Sequence, residues 1–432
     1  METLYTIFKQ SSGICTDTRK VTDGCLFVAL KGANFDGNLF ISEALNQGAI
    51  AAVTDSPEIA NSLNSEQVVL VKDCLVTLQS LASYHRDQLS VPIIGITGTN
   101  GKTTTKELCH TVLNSQYNCY ATKGNLNNHI GVPLSILEVN NQHDFAIIEM
   151  GANHLGEIAE LCLISKPNIG IITNIGTAHL EGFGSFENIV KTKNELYKYI
   201  IQTNGSIIFN LDDSILSKLV NGYMDCFTYS RSDSFADLSY GLVEKQLYAG
   251  IQWKEKKVIS QLFGSYNAEN LACAFALGMK LNIDSNRIIN SIESYIPGNN
   301  RSQLLKKGTN QLILDAYNAN PSSMSSAVSQ FLNVEDEHPK ILILGDMLEL
   351  GTYSAMEHQK ILDHLIIQNI AFDHCYLVGE EFSKCEVSQN NISFFRSVNE
   401  LKELFKKQKV QSHLIFLKGS RGIRLEELID LF

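Results

Sequence analysis

The segment best suited to chemistry is a glycine-rich loop, Gly98-Thr-Asn-Gly-Lys-Thr-Thr104, which follows an apolar strand and precedes a helix. Its glycines let consecutive backbone N–H groups face one anion, and the helix N-terminus adds its positive end. Lys102 can then reach the terminal phosphates of a nucleotide, and the Thr103 hydroxyl can bind Mg²⁺. The predicted nucleotide contacts in this loop are Gly98, Thr99, Asn100, Gly101, Lys102, Thr103 and Thr104.

This loop departs from the usual phosphate-loop pattern at one position. The pattern G-x-x-x-x-G-K-[ST] requires glycine where this chain has Ile96, and the glycines stand instead at 95, 98 and 101. A glycine-rich turn without a ligand is the alternative. The strand, glycines, lysine, threonine and helix occur together in the required order, which favours the phosphate site and points away from the common GTPases.

Several ionisable residues stand at or near predicted strand ends. Glu149 ends one strand, and the carboxyl edge of a parallel sheet is where α/β proteins bind ligands. Beside a phosphate loop this carboxylate is predicted to bind Mg²⁺; the alternative is a solvated acid. His179 follows another strand and is interpreted either as a metal ligand or as an ordinary loop or core residue. Lys193, taken alone, is interpreted as a lysine on a helix surface.

Polar loops supply further candidates. An amide cluster is formed by Asn125, Asn127 and Asn128, and such clusters suit turns and helix caps as well as a sugar or amide substrate. In the last third, polar loops after three strands predict one lined rim, with ordinary strand-exit turns as the alternative. These loops are Asp315–Pro321, Gly345–Gly351 and Lys418–Arg421. Basic Lys418 and Arg421 could receive a carboxylate or a phosphate.

Short apolar runs separated by helical stretches predict the elements that must position these residues. Most runs are apolar throughout, as in strands covered on both faces, which implies βαβ units and mostly parallel sheets. The predicted strands are Cys25–Leu30, Ala49–Val53, Val68–Val71, Ile93–Thr97, Phe145–Met150, Ile169–Asn174, Ile207–Asn210, Gln311–Asp315, Ile341–Gly345, Cys375–Val378 and Leu414–Leu417. Residues 226–262 are predicted as antiparallel strands or loops.

Two turn-rich stretches, Asp87–Pro92 and Ile296–Asn300, divide the 432 residues into three parts. Each part is long enough to hold its own core. The sequence therefore predicts an α/β protein of three domains: a small α/β N-terminal domain over 1–90, a central phosphate-loop domain with a mostly parallel sheet over 91–297, and a C-terminal domain over 298–432.

Composition narrows the class of protein. The formal net charge of −11 argues against nucleic acid or an anionic membrane surface as a partner. The ten cysteines lack C-x-x-C spacing, so they are interpreted as reduced thiols of a reducing compartment. No leader pattern opens the chain and no apolar run reaches the ~18 residues of a membrane span, so a soluble, cytoplasmic protein without membrane insertion is expected.

Taken together, these motifs resemble the Mur ligase family, the ATP-dependent amide-forming enzymes of peptidoglycan precursor synthesis, over the whole chain. The phosphate loop with Ile96 is similar to that family's variant. The other matching segments are Thr16–Lys20, Leu26–Gly32, Asp36-Gly37, Asn125–Pro133, Glu149–Ala152, His179, Lys193, Tyr266–Asn270, Arg301 and Asp315. Within the family, the loops Asp315–Met324 and Leu344–Gly351 resemble those of the member that adds the dipeptide D-alanyl-D-alanine.

The resemblance implies a fold, an activity and a mechanism. The first domain would hold a UDP-sugar, and the Rossmann-like C-terminal domain would close over the nucleotide and bind the acceptor. The enzyme would phosphorylate the terminal carboxylate of UDP-MurNAc-tripeptide with ATP, and the amine of D-alanyl-D-alanine would attack the acyl phosphate. Lys102 and two Mg²⁺ ions would offset the charge that accumulates on the phosphoryl oxygens.

The resemblance also assigns roles to residues of this chain. Thr103 and Glu149 would hold one Mg²⁺, and His179 with a carbamylated Lys193 would be associated with the second. Lys102, Lys193 and His179 would be catalytic, and Asn270, Arg301 and Asp315 would contact the nucleotide. The substrate contacts would be Asp17, Thr18, Arg19, Asn125, Asn127, Asn128, Asn318, Asn320 and Arg421.

Three alternatives remain at this point: a Mur ligase that adds a single amino acid, a folylpolyglutamate synthase, and a phosphate-loop switch or motor. The first-domain match argues against the folate enzyme, and the loop spacing argues against the switch. A monomer is expected. The third residue of the tripeptide, diaminopimelate or lysine, stays open.

Overall fold

The computed structural model describes residues 1–63, 65–177, 180–244, 246–298, 300–367, 372–387 and 389–432. Within these ranges, helices alternate with strands that form mainly parallel sheets, which confirms the predicted α/β fold with a parallel central sheet. None of the helices it describes is long and apolar enough to cross a membrane. All ten cysteines are free thiols.

The N-terminal part contains a parallel sheet flanked by helices. Its four described strands, in spatial order, are Ile14–Cys15, Leu26–Val28, Ala51–Thr54 and Val68–Leu70. A small hairpin pairs Lys31–Gly32 with Phe35–Asp36. The α-helices are Glu2–Gln10, Ile41–Asn46, Pro57–Leu63 and Cys74–Asp87.

The central part is built on a larger parallel sheet. In spatial order its described strands are Leu238–Ser239, Cys226–Ser230, Ser206–Asn210, Ile169–Ile172, Ile93–Thr97, Phe145–Glu149 and Cys119–Ala121. An antiparallel sheet adds Gly241–Leu242, Tyr248–Trp253 and Lys256–Phe263. The α-helices are Lys102–Asn114, Gly131–Glu138, Glu157–Ser165, Leu180–Phe183, Phe186–Gln202, Ser214–Val220, Ala268–Lys280 and Ser285–Ser294.

The C-terminal part holds a mixed sheet in which the first pair of strands is antiparallel. Its described strands, in spatial order, are Gln303–Lys307, Asn310–Asp315, Leu414–Lys418, Lys340–Gly345, His374–Val378 and Ile392–Phe395. The α-helices are Pro321–Asn333, Ser354–Ile367 and Val398–Lys407.

Strand order determines which loops meet. Ile93–Thr97, which is buried along its whole length, pairs in parallel with Phe145–Glu149 on one side and with Ile169–Ile172 on the other. Because the three strands run in the same direction, the loops at their carboxyl ends share one edge of the sheet. In the C-terminal sheet, Asp315 pairs with Lys418, so the polar loops after these strands also lie side by side.

The sequence prediction was wrong in one region and incomplete in others. Cys226–Ser230 is a parallel strand of the central sheet, although 226–262 was predicted as antiparallel strands or loops; the antiparallel pairing begins at Gly241. Six described strands were missed because they are short or only partly buried, so they lack a long apolar run: Ile14–Cys15, Lys31–Gly32, Phe35–Asp36, Cys119–Ala121, Gln303–Lys307 and Ile392–Phe395.

Candidate functional site

A cavity of about 910 Å³ lies between the central and C-terminal parts. Its walls are the phosphate loop, the amide cluster and the polar rim of the C-terminal sheet. The predicted site residues that line it are Thr99, Asn100, Gly101, Lys102, Thr103, Thr104, Asn125, Asn127, Asn128, Glu149, Asn270, Arg301, Asp315, Asn318 and Asn320. Residues from six separate stretches of the chain, between Thr99 and Asn320, therefore lie around one cavity.

The phosphate loop has the backbone that anion binding needs. Gly98 has φ +145°, and Gly101, with φ +77°, is the residue before the helix Lys102–Asn114. The Lys102 Nζ donates to the carbonyl oxygens of Gly98 and Thr99, at 2.8 and 3.0 Å, so the amine lies folded over its own loop. Burial lowers the pKa of the Lys102 amine, because desolvation disfavours its charged form. An anion that enters the cavity would stabilise the ammonium and raise this pKa again.

Replacing Gly98 with alanine should damage this loop. A Cβ at Gly98 would stand 2.0 Å from Thr173 Oγ1, and a φ of +145° is strained for any L side chain. Strain of roughly 1–3 kcal/mol is expected, with at least about tenfold weaker ADP binding measured by calorimetry. Gly298→Ala is the matched control, because no described residue other than its chain neighbours has an atom within 4 Å of its Cβ position. Equal ADP affinity in both variants would contradict the account of the loop.

Glu149 is a buried carboxylate with one oxygen committed and one available. Its Oε1 accepts from Thr103 Oγ1 at 3.1 Å and from Asn127 Nδ2 at 2.8 Å. Its Oε2 is buried without a hydrogen-bond partner, and the nearest cation is Lys106 Nζ at 3.7 Å. An orphaned carboxylate oxygen beside a threonine hydroxyl is the donor chemistry that suits Mg²⁺, so these residues fit that ion.

The described residues supply no further metal cluster. Across these ranges, no group of three His, Cys, Asp or Glu side chains could hold a metal ion. The predicted ligand His179 lies outside the described residues.

Lys193 is buried, so its interpretation as a surface lysine was wrong. It lies on the helix Phe186–Gln202 with 3% of its surface exposed, and its Nζ is 5.6 Å from the ring centroid of Phe183. Burial, together with the positive charge of Lys102, lowers the pKa of the Lys193 amine to about 7. A large share of this amine is therefore neutral near pH 7.

Two of the three predicted nucleotide contacts outside the loop are held by protein partners. Asn270 Oδ1 accepts from Thr105 Oγ1 at 3.0 Å. The same oxygen lies so near Gly101 that a Cβ there would clash with it, so Asn270 packs directly against the phosphate loop. Asp315 accepts from Lys418 Nζ at 2.6 Å and from the Ser302 backbone N–H.

The third such contact, Arg301, faces the cavity. Its guanidinium carbon lies 3.7 Å from the ring centroid of Tyr317, and its Nε is buried without a hydrogen-bond partner in the described structure. An unpaired guanidinium N–H on the cavity wall is suited to a phosphate oxygen.

Some predicted substrate residues lie elsewhere or already have a structural role. Asp17, Thr18 and Arg19 form a turn of the N-terminal part, where Asp17 caps the turn and pairs with Arg19 at 2.7 Å. Arg421 is exposed, is not among the residues found to line the cavity, and lies 5.4 Å from the Tyr317 ring centroid. Asn128 accepts from the backbone N–H groups that begin the helix Gly131–Glu138.

Sequence reasoning missed several residues that shape the cavity. Asn174 accepts from the backbone N–H of Asn100, and Tyr317 lies under Arg301. Asn174 ends a predicted strand and Tyr317 lies in the predicted loop Asp315–Pro321, but neither was singled out as a site residue. Lys106 is fully buried and donates to the Thr122 carbonyl at 2.6 Å; its position one helical turn after Lys102 was the available signal.

Three family models match the chain in order. They are the Mur ligase family catalytic domain over residues 10–85, the Mur ligase middle domain over residues 96–278, and the Mur ligase glutamate ligase domain over residues 300–421. The cavity is lined by residues from the second and third of these matches.

Full-length relatives show the same similarity. The UDP-N-acetylmuramoyl-tripeptide–D-alanyl-D-alanine ligase of Bacillus subtilis is 32% identical over 424 residues, which cover 96% of this chain and 92% of the relative. The crystal structure of MurF from Acinetobacter baumannii has a TM-score of 0.83 at 28% identity, covering 99% of this chain and 97% of that one. The structure of MurF ligase from Thermotoga maritima in complex with ADP has a TM-score of 0.84 at 27% identity, with the same coverage.

Proposed function

Because the chain belongs to the Mur ligase family, we propose that it is an ATP-dependent, ADP-forming ligase that adds D-alanyl-D-alanine to UDP-MurNAc-tripeptide in peptidoglycan precursor synthesis. The observation that carries the proposal is the shared cavity, in which the phosphate loop faces the polar rim of the C-terminal sheet. Such an arrangement lets a nucleotide and an acceptor meet over one carboxylate.

The chemistry follows from the inertness of a carboxylate toward an amine. One carboxylate oxygen of the tripeptide attacks the γ-phosphorus of ATP, ADP leaves, and an acyl phosphate forms. The free amine of the dipeptide then attacks the acyl carbon, loses a proton, and expels inorganic phosphate from the tetrahedral intermediate. Closure of the C-terminal part over the cavity keeps water from the acyl phosphate.

The residues of the phosphate loop bind and orient the nucleotide. Backbone N–H groups from Gly98 to Thr104 surround the phosphates, and Lys102 leaves its loop carbonyls to pair with a phosphoryl oxygen. Thr103 and Glu149 would hold a Mg²⁺ ion, which would supply positive charge to the phosphate oxygens. Arg301 offers its unpaired N–H to the nucleotide, while Asn270 and Asp315 complete that side of the cavity.

Lys193 is proposed to carry a carbamate. A neutral lysine amine adds CO₂, which converts a cation into an anionic oxygen ligand, and the low pKa of this buried amine supplies the neutral form. With His179, the carbamate would hold a second Mg²⁺. Lys102, Lys193 and His179 are thus the proposed catalytic residues.

The remaining assignments concern substrates and setting. The UDP-sugar is proposed to contact Asp17, Thr18 and Arg19 in the N-terminal domain, and the peptide to contact Asn125, Asn127 and Asn128. The acceptor is proposed to contact Asn318 and Arg421. The three domains are proposed to span residues 1–90, 91–297 and 298–432. The protein is proposed to act as a cytoplasmic monomer without a nucleic-acid or membrane partner.

The acceptor should be a dipeptide and not a single amino acid. A dipeptide offers an amine, an internal amide and a carboxylate, and a site that pairs the last two leaves polar groups unpaired when D-alanine binds. We expect kcat/KM for D-alanyl-D-alanine to exceed that for D-alanine, L-lysine or meso-diaminopimelate by about 10³-fold or more.

The comparison uses both candidate UDP-tripeptides as donors and measures phosphate release together with product. A single amino acid that equals the dipeptide would replace this assignment with another Mur ligase activity. Full-speed phosphate release with neither UDP-peptide nor amine would instead favour a phosphate-loop switch.

A further inference from the structure

The phosphate loop is joined to the C-terminal part by a ring of three side chains. Asn320 Nδ2 donates to Asn100 Oδ1 at 2.7 Å, and Asn100 Nδ2 donates to Ser322 Oγ at 3.0 Å. The Ser322 hydroxyl donates in turn to Asn320 Oδ1 at 2.9 Å. Each donor meets an acceptor in one consistent orientation of the two amides, so the three bonds close on themselves.

Both sides of this ring are fixed. On the central side, the backbone N–H of Asn100 donates to Asn174 Oδ1 at 3.0 Å, and its carbonyl accepts from Thr173 Oγ1 at 2.6 Å. On the C-terminal side, Asn320 caps the helix Pro321–Asn333 by accepting from the Ser323 N–H at 2.9 Å. The ring therefore connects two rigid supports.

The same helix touches the central part a second time. Ser265, just before the helix Ala268–Lys280, donates from its Oγ to Gln330 Oε1 at 2.5 Å. Contacts at both ends place the helix Pro321–Asn333 along the boundary between the two parts. We call it the docking helix.

The hydrogen bonds of Asn320 decide what this residue can do. It is 8% exposed, its Nδ2 is given to Asn100, and its Oδ1 already accepts from Ser322 and Ser323. The Oδ1 of Asn320 therefore has both lone pairs occupied, and a dipeptide could reach only the second Nδ2–H without breaking the ring or the helix cap. Asn318, whose side chain has no such bonds in the described structure, lines the same cavity and is the better acceptor contact.

We propose that the ring of Asn100, Asn320 and Ser322 acts as a latch: its hydrogen bonds hold the docking helix in a fixed position against the phosphate loop. Asn320 is then a positioning residue and not an acceptor contact. The latch acts in the protein without ligands, and its kinetic consequence rests on the proposed function. By holding the C-terminal part closed, it keeps Arg301 and the polar rim opposite the phosphate loop.

Asn320→Ser tests the latch while keeping the helix cap. Serine caps a helix about as well as asparagine, but it has no amide with which to reach Asn100. Loss of the ring bonds should raise KM for ATP about five- to thirtyfold, with a smaller change in kcat. Small-angle X-ray scattering of the ligand-free variant should give a larger radius of gyration than that of the wild type.

Two further variants sharpen the test. Ser322→Ala breaks two bonds of the ring and leaves the Asn320 cap in place, so it should change scattering and the KM for ATP in the same direction. The double variant should be little worse than either single one, because the ring acts as a unit. Asn333→Ser is the matched control, since the exposed Asn333 donates to Ser329 within the docking helix.

The outcomes separate the latch from its alternatives. If Asn320→Ser raises only the KM for D-alanyl-D-alanine and leaves scattering unchanged, Asn320 is an acceptor contact and the latch is overturned. A wild-type scattering curve that already fits a separated C-terminal part would overturn it as well. If Asn320→Ser does not fold, Ser322→Ala carries the same decision. A wild type without ligase activity would defeat the proposed function, while scattering would still decide the latch.

Discussion

Lys102→Ala should lower kcat/KM for ATP by about 10³-fold or more, with the melting temperature within about 2 °C of the wild type. Within the described residues, the Lys102 amine lines the cavity and donates only to carbonyl oxygens of its own loop. Its removal therefore takes away charge for the phosphoryl oxygens without opening a cavity in the core. The measurement is steady-state ligation with thermal unfolding of the same sample.

Lys360→Ala is the control for this experiment. Lys360 is an exposed lysine that pairs with Glu357 on the helix Ser354–Ile367, and it is not among the residues found to line the cavity. It should keep full activity. Near-wild-type turnover of Lys102→Ala with unchanged melting would remove the phosphate loop from the reaction.

Lys193→Ala should lower turnover by about 10²-fold or more, and wild-type activity should depend on CO₂. A carbamate forms only from the neutral amine. Since the pKa of Lys193 is about 7, the neutral fraction is small at pH 6 and large at pH 8. Enzyme held at pH 6 without CO₂ should therefore lose activity and regain it at pH 8 with bicarbonate.

A spectroscopic measurement tests the carbamate independently of activity. Wild-type protein in ¹³C-bicarbonate at pH 8 should show a carbamate carbon signal that Lys193→Ala lacks. Lys198→Ala, an exposed lysine on the same helix, should retain both the signal and the activity. A fully active Lys193→Ala variant, or the same signal in both proteins, would contradict the proposal.

The sequence predicted those parts of the molecule whose structure depends on residues close together in the chain. The phosphate loop could be read from the sequence because strand, glycines, lysine and helix are contiguous, and the buried strand Ile93–Thr97 has a continuous apolar run. The predicted family is confirmed by the family models and relatives, and the predicted α/β fold is confirmed by the structure. The adjacency of Asp315 and Lys418 also followed from strand ends in a parallel sheet.

Long-range packing was not available from the same patterns. Lys193 has the local sequence of a surface lysine, and only the packing of its helix against the central sheet makes it buried. Asn100 and Asn320 are 220 positions apart, and neither shows by itself that its amide faces the other. The prediction for Cys226–Ser230 was wrong because a helix, and not a tight turn, connects this strand to its parallel partner Ser206–Asn210.

The central claim is tested most directly by mass spectrometry of a single reaction. The protein is incubated with ATP, Mg²⁺, D-alanyl-D-alanine and UDP-MurNAc-tripeptide. Two parallel reactions use donors whose third residue is lysine or diaminopimelate. The account predicts that one donor gains the mass of the dipeptide minus one water, with one ADP and one phosphate formed per product and none without ATP. ATP consumption with neither donor extended would contradict it.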